Sequence, residues 1–407
     1  MNLSRRQFLT SAGLGLLAFG LPPAFLLRAA QQETASRGKT LVVVFLRGGI
    51  DGLNTVIPFK DRNYYTLRPG ISVREPARGD DRSLDLDGFF SLHPALAPIY
   101  PLYRKGNLAL IHATGSPDNT RSHFDAEDYM ETGTPGIKST PDGWLNRYLQ
   151  GESKNPDPFR AVALGNHLSR ILAGPMPALT MRNIEGFRLR NKGVTRRLSA
   201  MYRETSDALL RRHGVNLFRS ISALEGIAAT IPASTGAYPR GRFGRSMGEI
   251  ARLVKAGMGV EIAFTELGGW DTHKNQGGSQ GRMARNLQKL AQGIQAFYRD
   301  LGDRMEEVVI ITLSEFGRTV KENGNRGTDH GHANMMFVLG GKVQGGRVYG
   351  RWPGLEPEQR YEGRDLDLTT DYRHVCADVL YHHLGVKNLS QIFPDFRPST
   401  NLFQWKV

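Results

Sequence analysis

Short apolar runs alternate with helical segments along most of this chain, and each run ends in a turn rich in glycine and acidic residues. The first run, Leu-Val-Val-Val-Phe-Leu at residues 41–46, has no polar side chain, and similar segments begin at Leu108, Val260 and Val308. Such a run is typical of a strand that is buried on both faces. The alternation predicts an α/β fold with a mostly parallel sheet and helices on both faces.

Two helical segments are clearly predicted by the sequence. Apolar residues recur at spacings of three and four from Met283 to Leu301, which places them on one face of a helix. Another helix is predicted to open at residues 121–127 and to end at Gly133. Ser122 then lies at its N-terminus, where free N–H groups and the helix dipole favour anions. A basic helical insertion is predicted at about residues 192–240.

The first thirty residues have the composition of an export signal. Arg5 and Arg6 precede an uncharged run rich in Gly, Ala and Leu, which is the twin-arginine pattern. This pattern predicts transfer by the twin-arginine export machinery to the periplasm or the cell exterior. An uncleaved membrane anchor is the alternative, although Pro22 and Pro23 interrupt the apolar run. Residues 31–39 are predicted to be a flexible leader, and residues 40–407 the α/β domain.

The chain is strongly basic, with a formal charge of +14 at pH 7. Its basic residues are scattered and no zinc-finger, RNP-like or helix-turn-helix signature accompanies them, so nucleic acid is not an expected partner. A basic surface instead suits anionic substrates or polymers. Cys376 is the only cysteine, which excludes an internal disulfide.

The acidic turns and one histidine-rich loop together predict a metal site. The carboxyl ends of parallel strands meet at one edge of a sheet, so side chains that follow different strands converge there. Carboxylates brought together in this way repel each other unless a cation compensates them. Seven side chains are the expected ligands: Asp51, Asp271, His273, Glu315, Asp329, His330 and His332.

Seven ligands are too many for one tetrahedral site and suit two divalent ions. Carboxylates and imidazoles without cysteine are compatible with Zn, Mn, Mg, Fe or Ca, and ligand type does not choose among these metals. Two ions beside Ser122 would lower the pKa of its hydroxyl and hold the oxygens of a transferred phosphoryl or sulfuryl group. Arg121 and Arg318 are the expected catalytic cations for the remaining oxygens, ahead of Arg47.

Besides the twin-arginine signal, five motifs stand out, FLRGGIDGLN at 45–54, RSHFDAEDYMETG at 121–133, GGWDTH at 268–273, SEFGRT at 314–319 and TDHGHANMMFVLGG at 328–341. Together these motifs resemble the DUF1501 family, within the alkaline phosphatase and sulfatase superfamily. The resemblance implies an alkaline phosphatase-like fold, a metal centre and a nucleophile that opens a helix. Asp51, Asp271 and His273 match ligand positions of the superfamily, and Ser122 approximately matches its nucleophile.

Two positions differ from the superfamily pattern. After its late strand the superfamily has Asp-His-Gly where this chain has Ser-Glu-Phe at 314–316. Glu315 alone is therefore expected to bind metal there, and the loop at 328–332 is expected to supply the imidazoles. Counted from Gly133, His123 rather than Ser122 falls at the place of the nucleophile, so a neighbour of Ser122 is the alternative nucleophile.

Three functions are compatible with these residues. The leading hypothesis is an exported metal-dependent hydrolase of phosphate or sulfate esters that uses Ser122 and two ions. The second is a non-catalytic exported protein that binds an envelope partner or polymer on the same fold. The third is a transferase that moves a phosphoryl-linked headgroup with the same centre.

Overall fold

The structure is a computed structural model that describes residues 38–152, 157–187, 192–231 and 238–406. The predicted twin-arginine signal and most of the predicted leader fall within residues 1–37, which lie outside the described residues. Within the described ranges, no helix is both long enough and apolar enough to cross a membrane.

One large sheet organises the molecule. The described residues form fourteen strands, in chain order β1 Thr40–Arg47, β2 Val56–Ile57, β3 Leu84–Asp85, β4 Ser91–Leu92, β5 Leu108–Gly115, β6 Ala161–Leu164, β7 Leu179–Met181, β8 Ile262–Gly268, β9 Val308–Leu313, β10 Asn334–Gly340, β11 Val348–Tyr349, β12 Arg360–Tyr361, β13 Asp365–Leu366 and β14 Thr370–Asp371. Nine of them make the central sheet, in the order β11-β5-β10-β9-β1-β8-β6-β7 with β14 beside β5. Two small sheets, β2-β4-β3 and β12-β13, lie apart from it.

The strands of the central sheet are mostly parallel. β1 pairs in parallel with β8 and β9, β6 pairs in parallel with β7 and β8, and β5 pairs in parallel with β11 and β14. Only β10 is reversed among these described strands, since it runs antiparallel to β5 and β9. The predicted α/β class with a mostly parallel sheet is therefore confirmed.

Helices fill the connections between the strands. The described residues contain ten α-helices, α1 Gly52–Thr55, α2 Arg62–Leu67, α3 Tyr100–Arg104, α4 His123–Thr132, α5 Trp144–Glu152, α6 Lys192–Glu204, α7 Ala208–Thr230, α8 Arg242–Lys255, α9 Arg282–Leu301 and α10 Tyr372–His382. Short 3-10 helices occur at Pro94–Ile99, Pro158–Arg160, Arg170–Leu172, Gly302–Glu307, Pro357–Gln359 and Leu389–Gln391. The stretch predicted as a helical insertion contains α6 and α7.

Two hydrophobic cores lie on opposite faces of the sheet. Val42 of β1 packs in one core with Leu287 of α9, whereas the next residue, Val43, packs in the other core with Val379 of α10. Successive side chains of a strand point to opposite faces. A strand covered on both sides therefore needs apolar residues at every position, and this is the pattern of residues 41–46.

The imidazoles of three buried histidines contact backbone carbonyl groups of other segments of the chain. Burial lowers the pKa of each of the three imidazoles to about 4. They are therefore neutral in the folded protein at pH 7, and their role is structural. Their Nε2 contacts are His93 with Gly278 O at 2.9 Å, His112 with Val56 O at 2.9 Å and His383 with Thr40 O at 3.1 Å.

We expect the protein to lose stability as the pH falls from about 6.5 to about 4. The folded-state pKa of these histidines lies below the ordinary value of 6.5, so the unfolded chain binds more protons across this interval. Each histidine then removes about 1.4 kcal/mol of unfolding free energy per pH unit. Urea unfolding at a series of pH values measures the slope. His112→Gln, which keeps a donor and an acceptor, should show a shallower slope, and an unchanged slope would contradict the assignment.

Candidate metal centre

Three histidines and one aspartate meet at the carboxyl edge of the central sheet. His123 begins α4, Asp271 and His273 follow β8, and His330 lies in the connection between β9 and β10. Because β1, β8 and β9 are parallel neighbours, the loops that follow them leave the sheet at the same edge. The topology therefore brings together side chains that are far apart in the sequence.

Ligand atoms of His123, Asp271 and His330 lie within 4.8 Å of one another, and His273 adjoins this group through Asp271 and His330. Nε2 of His273 lies 3.0 Å from Asp271 Oδ1, and Nε2 of His330 lies 3.3 Å from the same oxygen. The two Nε2 atoms are 3.0 Å apart. His123 Nε2 lies 3.7 Å from Asp271 Oδ1, and the rings of His123 and His330 meet edge to face with centroids 4.4 Å apart. We call these four residues the His–Asp cluster.

The second nitrogen of each imidazole is already in use. A carboxylate and a backbone carbonyl only accept hydrogen bonds, so each Nδ1 must carry the proton. In the neutral ring, Nε2 then presents a lone pair to the cluster. The Nδ1 contacts are His123 with Glu315 Oε1 at 2.8 Å, His273 with Asp329 Oδ1 at 2.8 Å and His330 with Arg121 O at 2.7 Å.

This arrangement fits a divalent cation. Three lone-pair nitrogens and a carboxylate oxygen that face one another repel unless a cation or added protons compensate them. His123 Nε2 is buried and has no hydrogen-bond partner among the described residues. Imidazole nitrogens and a carboxylate oxygen are a common ligand set for divalent transition metals. An acceptor on the far nitrogen of each ring is also usual in metal sites, because it fixes the tautomer and the ring orientation.

Arg318 holds Asp271 in its charged form. Its Nη2 donates to Asp271 Oδ1 at 2.6 Å, and its side chain is fully buried. Burial acts to raise the pKa of Asp271, but the hydrogen bond and the charge of Arg318 outweigh it and leave that pKa below its ordinary value. Arg318 Nη2 also donates to the backbone oxygens of Gly48 and Trp270, while Nε donates to Gly49 O and Nη1 to Thr328 O. The Arg318 guanidinium, which was predicted to contact substrate, therefore connects the loops that contain Gly49, Trp270 and Thr328.

The imidazoles differ in their affinity for protons. The hydrogen bond to Glu315 raises the pKa of His123, against the effect of burial. Burial lowers the pKa of His330. In the absence of a metal, His123 is therefore protonated before His330 as the pH falls. Because a proton and a metal ion compete for the same Nε2, metal binding should weaken in acid.

The structure places three of the seven predicted ligands in the cluster, Asp271, His273 and His330. Glu315 and Asp329 contact imidazoles of the cluster rather than Asp271. Glu315 accepts a hydrogen bond from His123 Nδ1 and Asp329 accepts one from His273 Nδ1, so each carboxylate orients a ring. Glu315 is fully buried and also accepts a hydrogen bond from the Gly48 N–H at 2.7 Å. Asp329 is half-exposed.

The other two predicted ligands have different partners. Asp51 is buried and caps α1, and its Oδ2 accepts hydrogen bonds from Arg68 Nη1 and Gln276 Nε2, both at 2.6 Å. Arg68 is itself fully buried, so the two form a buried ion pair. His332 stacks on Tyr361 with ring centroids 4.0 Å apart. Asp51 therefore has an arginine for its counter-charge where a metal ion was expected.

The predicted catalytic residues before α4 also have structural contacts. Ser122 is the N-cap of α4, and its Oγ accepts a hydrogen bond from the Asp125 N–H at 3.5 Å. Arg121 Nη2 pairs with Glu362 at 2.7 Å and with Asp365 at 2.8 Å. The carbonyl oxygen of Arg121, and not its guanidinium, contacts the His–Asp cluster.

Two carboxylates, Glu127 and Glu315, lie close to His123 on the side of the cluster where α4 begins. Ligand atoms of His123, Glu127 and Glu315 lie within 4.8 Å of one another. Burial raises the pKa of Glu127 to about 7, although Arg47 Nη1 lies 2.7 Å from its Oε2 and opposes the rise. Because Nδ1 of His123 donates its proton to Glu315 and Nε2 faces Asp271, His123 has no lone pair for a second ion, and the predicted second ion would lack an imidazole ligand in this group.

His123 and Glu127 were not among the predicted ligands. The spacing from Gly133 was the available signal, since it places His123 at the position of the superfamily nucleophile. Glu127 follows His123 by four residues, so the two share one face of α4. The Gly133 φ of +71° closes this helix as predicted.

A family model described as "Protein of unknown function (DUF1501)" matches residues 106–386. This is more than half of the chain, so the protein belongs to the DUF1501 family, as its motifs predicted. No curated protein matches the chain. Among solved structures, the PsFucS1 sulfatase from Pseudoalteromonas sp. is similar at 13% identity with a TM-score of 0.31, covering 81% of this chain and 68% of that chain. Similarity at this level supports no conclusion about the site or the activity.

Proposed function

We propose that this protein is an exported metal-dependent hydrolase of phosphate or sulfate esters. The observation that supports the proposal most strongly is the convergence of three imidazole Nε2 atoms on Asp271 Oδ1, together with the buried and unpartnered Nε2 of His123. The four residues of the His–Asp cluster would hold the ion. When bound there, such an ion acts as a Lewis acid on the oxygens of an ester.

The residues around the cluster keep these ligands in position. Glu315 fixes the ring of His123, and Asp329 fixes the ring of His273 while it accepts a hydrogen bond from Asn323 Nδ2 at 3.0 Å. Residues that orient metal ligands in this way are worth roughly 10–100-fold in metal affinity or activity. The ligands are therefore ordered by the protein before substrate arrives.

The substrate class follows from charge. The chain carries a formal charge of +14, which favours the approach of anions. Phosphate and sulfate esters are anionic, and the same kind of metal centre suits both. Export is part of the proposal because of the twin-arginine pattern at Arg5 and Arg6, since that route carries proteins that are already folded.

Metal analysis combined with an ester panel tests this function. The full chain, purified from the native cell fraction, is expected to contain stoichiometric divalent metal and to turn over an aryl phosphate or an aryl sulfate. Turnover should disappear with a chelator and return when the metal is restored. A chain that holds no stoichiometric metal and takes none up would overturn the proposal. The cell fraction that contains the protein tests export in the same experiment.

We expect Ser122→Ala to keep turnover within a few-fold of wild type and to lose about 1 kcal/mol of stability. The Ser122 hydroxyl caps α4, and removal of such a cap typically costs this amount. Steady-state kinetics and urea unfolding of the same preparation separate the two roles. If Ser122→Ala instead abolishes turnover while the protein stays folded, Ser122 is the nucleophile.

A metal-free binding protein is the second candidate, and one observation favours it. Arg318 already neutralises Asp271, and a protonated His123 would neutralise Glu315. The cluster can therefore be charge-balanced without an ion. The binding protein would take up no metal and would bind an anionic envelope polymer without cleaving it. A transferase would contain metal and would pass the group to an acceptor other than water, which product analysis detects.

A further inference from the structure

A basic pocket lies beside the His–Asp cluster and is not used by the proposed chemistry. Its cavity volume is about 330 Å³. Gly268, the last residue of β8, forms part of its wall three residues before Asp271. The pocket is also lined by Arg242, the first residue of α8, and by Lys289 of α9. The pocket and the cluster therefore share the same edge of the sheet.

The charges that line this pocket are mostly positive and mostly unpaired. Arg47 pairs with Glu266 at 2.6 Å and also with Glu127 and Glu131 at 2.7 and 2.8 Å, so it adds no free positive charge to the pocket. The other charged residues of the wall are Arg240, Arg242 and Lys289. Within the part of the chain that the structure describes, no carboxylate lies within 4.0 Å of any of these three cations. Three cations around one cavity repel each other, and an anion in the cavity would relieve that repulsion.

The start of α8 adds to the positive potential of the pocket. The N-cap of this 14-residue helix is Gly241, and no side chain caps its first turn. The first N–H groups of a helix have no partner within the helix, and the helix dipole places partial positive charge at that end. Gly241 also lines the pocket, so these groups lie beside the cavity. The pocket therefore combines side-chain charge with backbone donors.

We infer that this pocket binds an oxyanion group of the substrate other than the ester that is cleaved. The substrate would then be a polyanion, such as a molecule with several sulfate or phosphate groups. This inference rests on the proposed function, because it takes the ester to react at the His–Asp cluster. The cavity volume lies near the lower end of the range of about 300–1,000 Å³ that is usual for small-molecule sites. It therefore has room for a charged group and part of its carrier.

Calorimetric titration with benzene-1,3-disulfonate tests the inference. This probe carries two oxyanion groups on carbon–sulfur bonds, so it is not an ester and is not hydrolysed. The wild-type full chain is expected to bind it, more weakly at higher salt. The double variant R240A/R242A should lose about tenfold or more in affinity, because it lacks two charged donors. Both arginines are exposed, and thermal unfolding verifies that the variant is folded.

Two controls locate the bound probe. R245A removes an exposed arginine that lies on α8 but does not line the pocket, and it should bind the probe like wild type. D271N alters the His–Asp cluster but leaves the pocket unchanged, so it should lose less affinity for the probe than R240A/R242A. Absence of binding to wild type, unchanged binding by R240A/R242A, or an equal loss in D271N would each overturn the inference. If this binding pattern holds but neither metal nor ester turnover is found, the proposed function fails and the anion site stands.

Discussion

Asp271→Asn is expected to remove most of the bound metal and nearly all ester turnover. Asp271 Oδ1 is the atom on which the three imidazole Nε2 atoms converge, at 3.0 to 3.7 Å. Asparagine replaces this charged oxygen with a neutral amide, which leaves the positive charge of a metal ion and of Arg318 uncompensated. The effect should exceed the roughly 10–100-fold change that is typical of residues which only orient a ligand. Metal content per chain and kcat/KM measure it.

Asp329→Asn is the matched comparison. This substitution makes the same chemical change at a carboxylate that contacts the cluster only through His273 Nδ1. The expected loss of metal affinity or kcat/KM is about 10–100-fold, so the protein should keep measurable turnover. If both variants lose the same amount, or if Asp271→Asn retains metal and activity, the His–Asp cluster is not the metal centre.

Arg318→Met is expected to lower the free energy of unfolding by about 3–5 kcal/mol, or to prevent the folded protein from accumulating. The Arg318 side chain is fully buried, and it donates to Asp271 and to the backbone oxygens of three loops. Methionine fills much of the same volume but donates no hydrogen bond. The buried carbonyl oxygens would then lose their partners, which costs about 1–3 kcal/mol for each oxygen left unsatisfied.

Arg74→Met is the control, because it removes an arginine whose ion pair is exposed to solvent. Arg74 pairs with Asp81 at 3.1 Å, but both side chains are exposed, so the expected change is about 0–1 kcal/mol. Denaturant midpoints of the two variants and the wild type give the comparison. A folded Arg318→Met protein with wild-type stability and no turnover would instead assign Arg318 a direct role in catalysis.

The edge of the sheet that carries the site was predictable from local sequence. Asp271 and His273 come directly after a strand, and the carboxyl ends of parallel strands always lie at the same edge. His123 was harder to predict because neighbouring positions on a helix point in directions about 100° apart. Serine is a common N-cap residue, and Ser122 caps α4. The side chain of the next residue, His123, points toward Asp271.

Asp51 was predicted to bind metal like Asp271, but the structure gives it a different environment. It follows β1 as Asp271 follows β8, with glycines on either side, and local sequence does not distinguish the two positions. In the structure Asp51 is buried against Arg68 and Gln276, whereas Asp271 remains partly exposed among imidazoles. The difference depends on which distant side chains pack against each carboxylate.

Local sequence patterns specify the α/β class, the strands that are buried on both faces and the edge of the sheet where the polar residues lie. These properties follow from short segments, because burial on two faces and the turn at the end of a strand are local requirements. Which carboxylates face imidazoles and which face arginines depends on packing between segments that are distant in the sequence. Arg68 reaches Asp51 from 17 residues away, whereas His330 reaches Asp271 from 59 residues away, and such pairings exist only once the chain has packed.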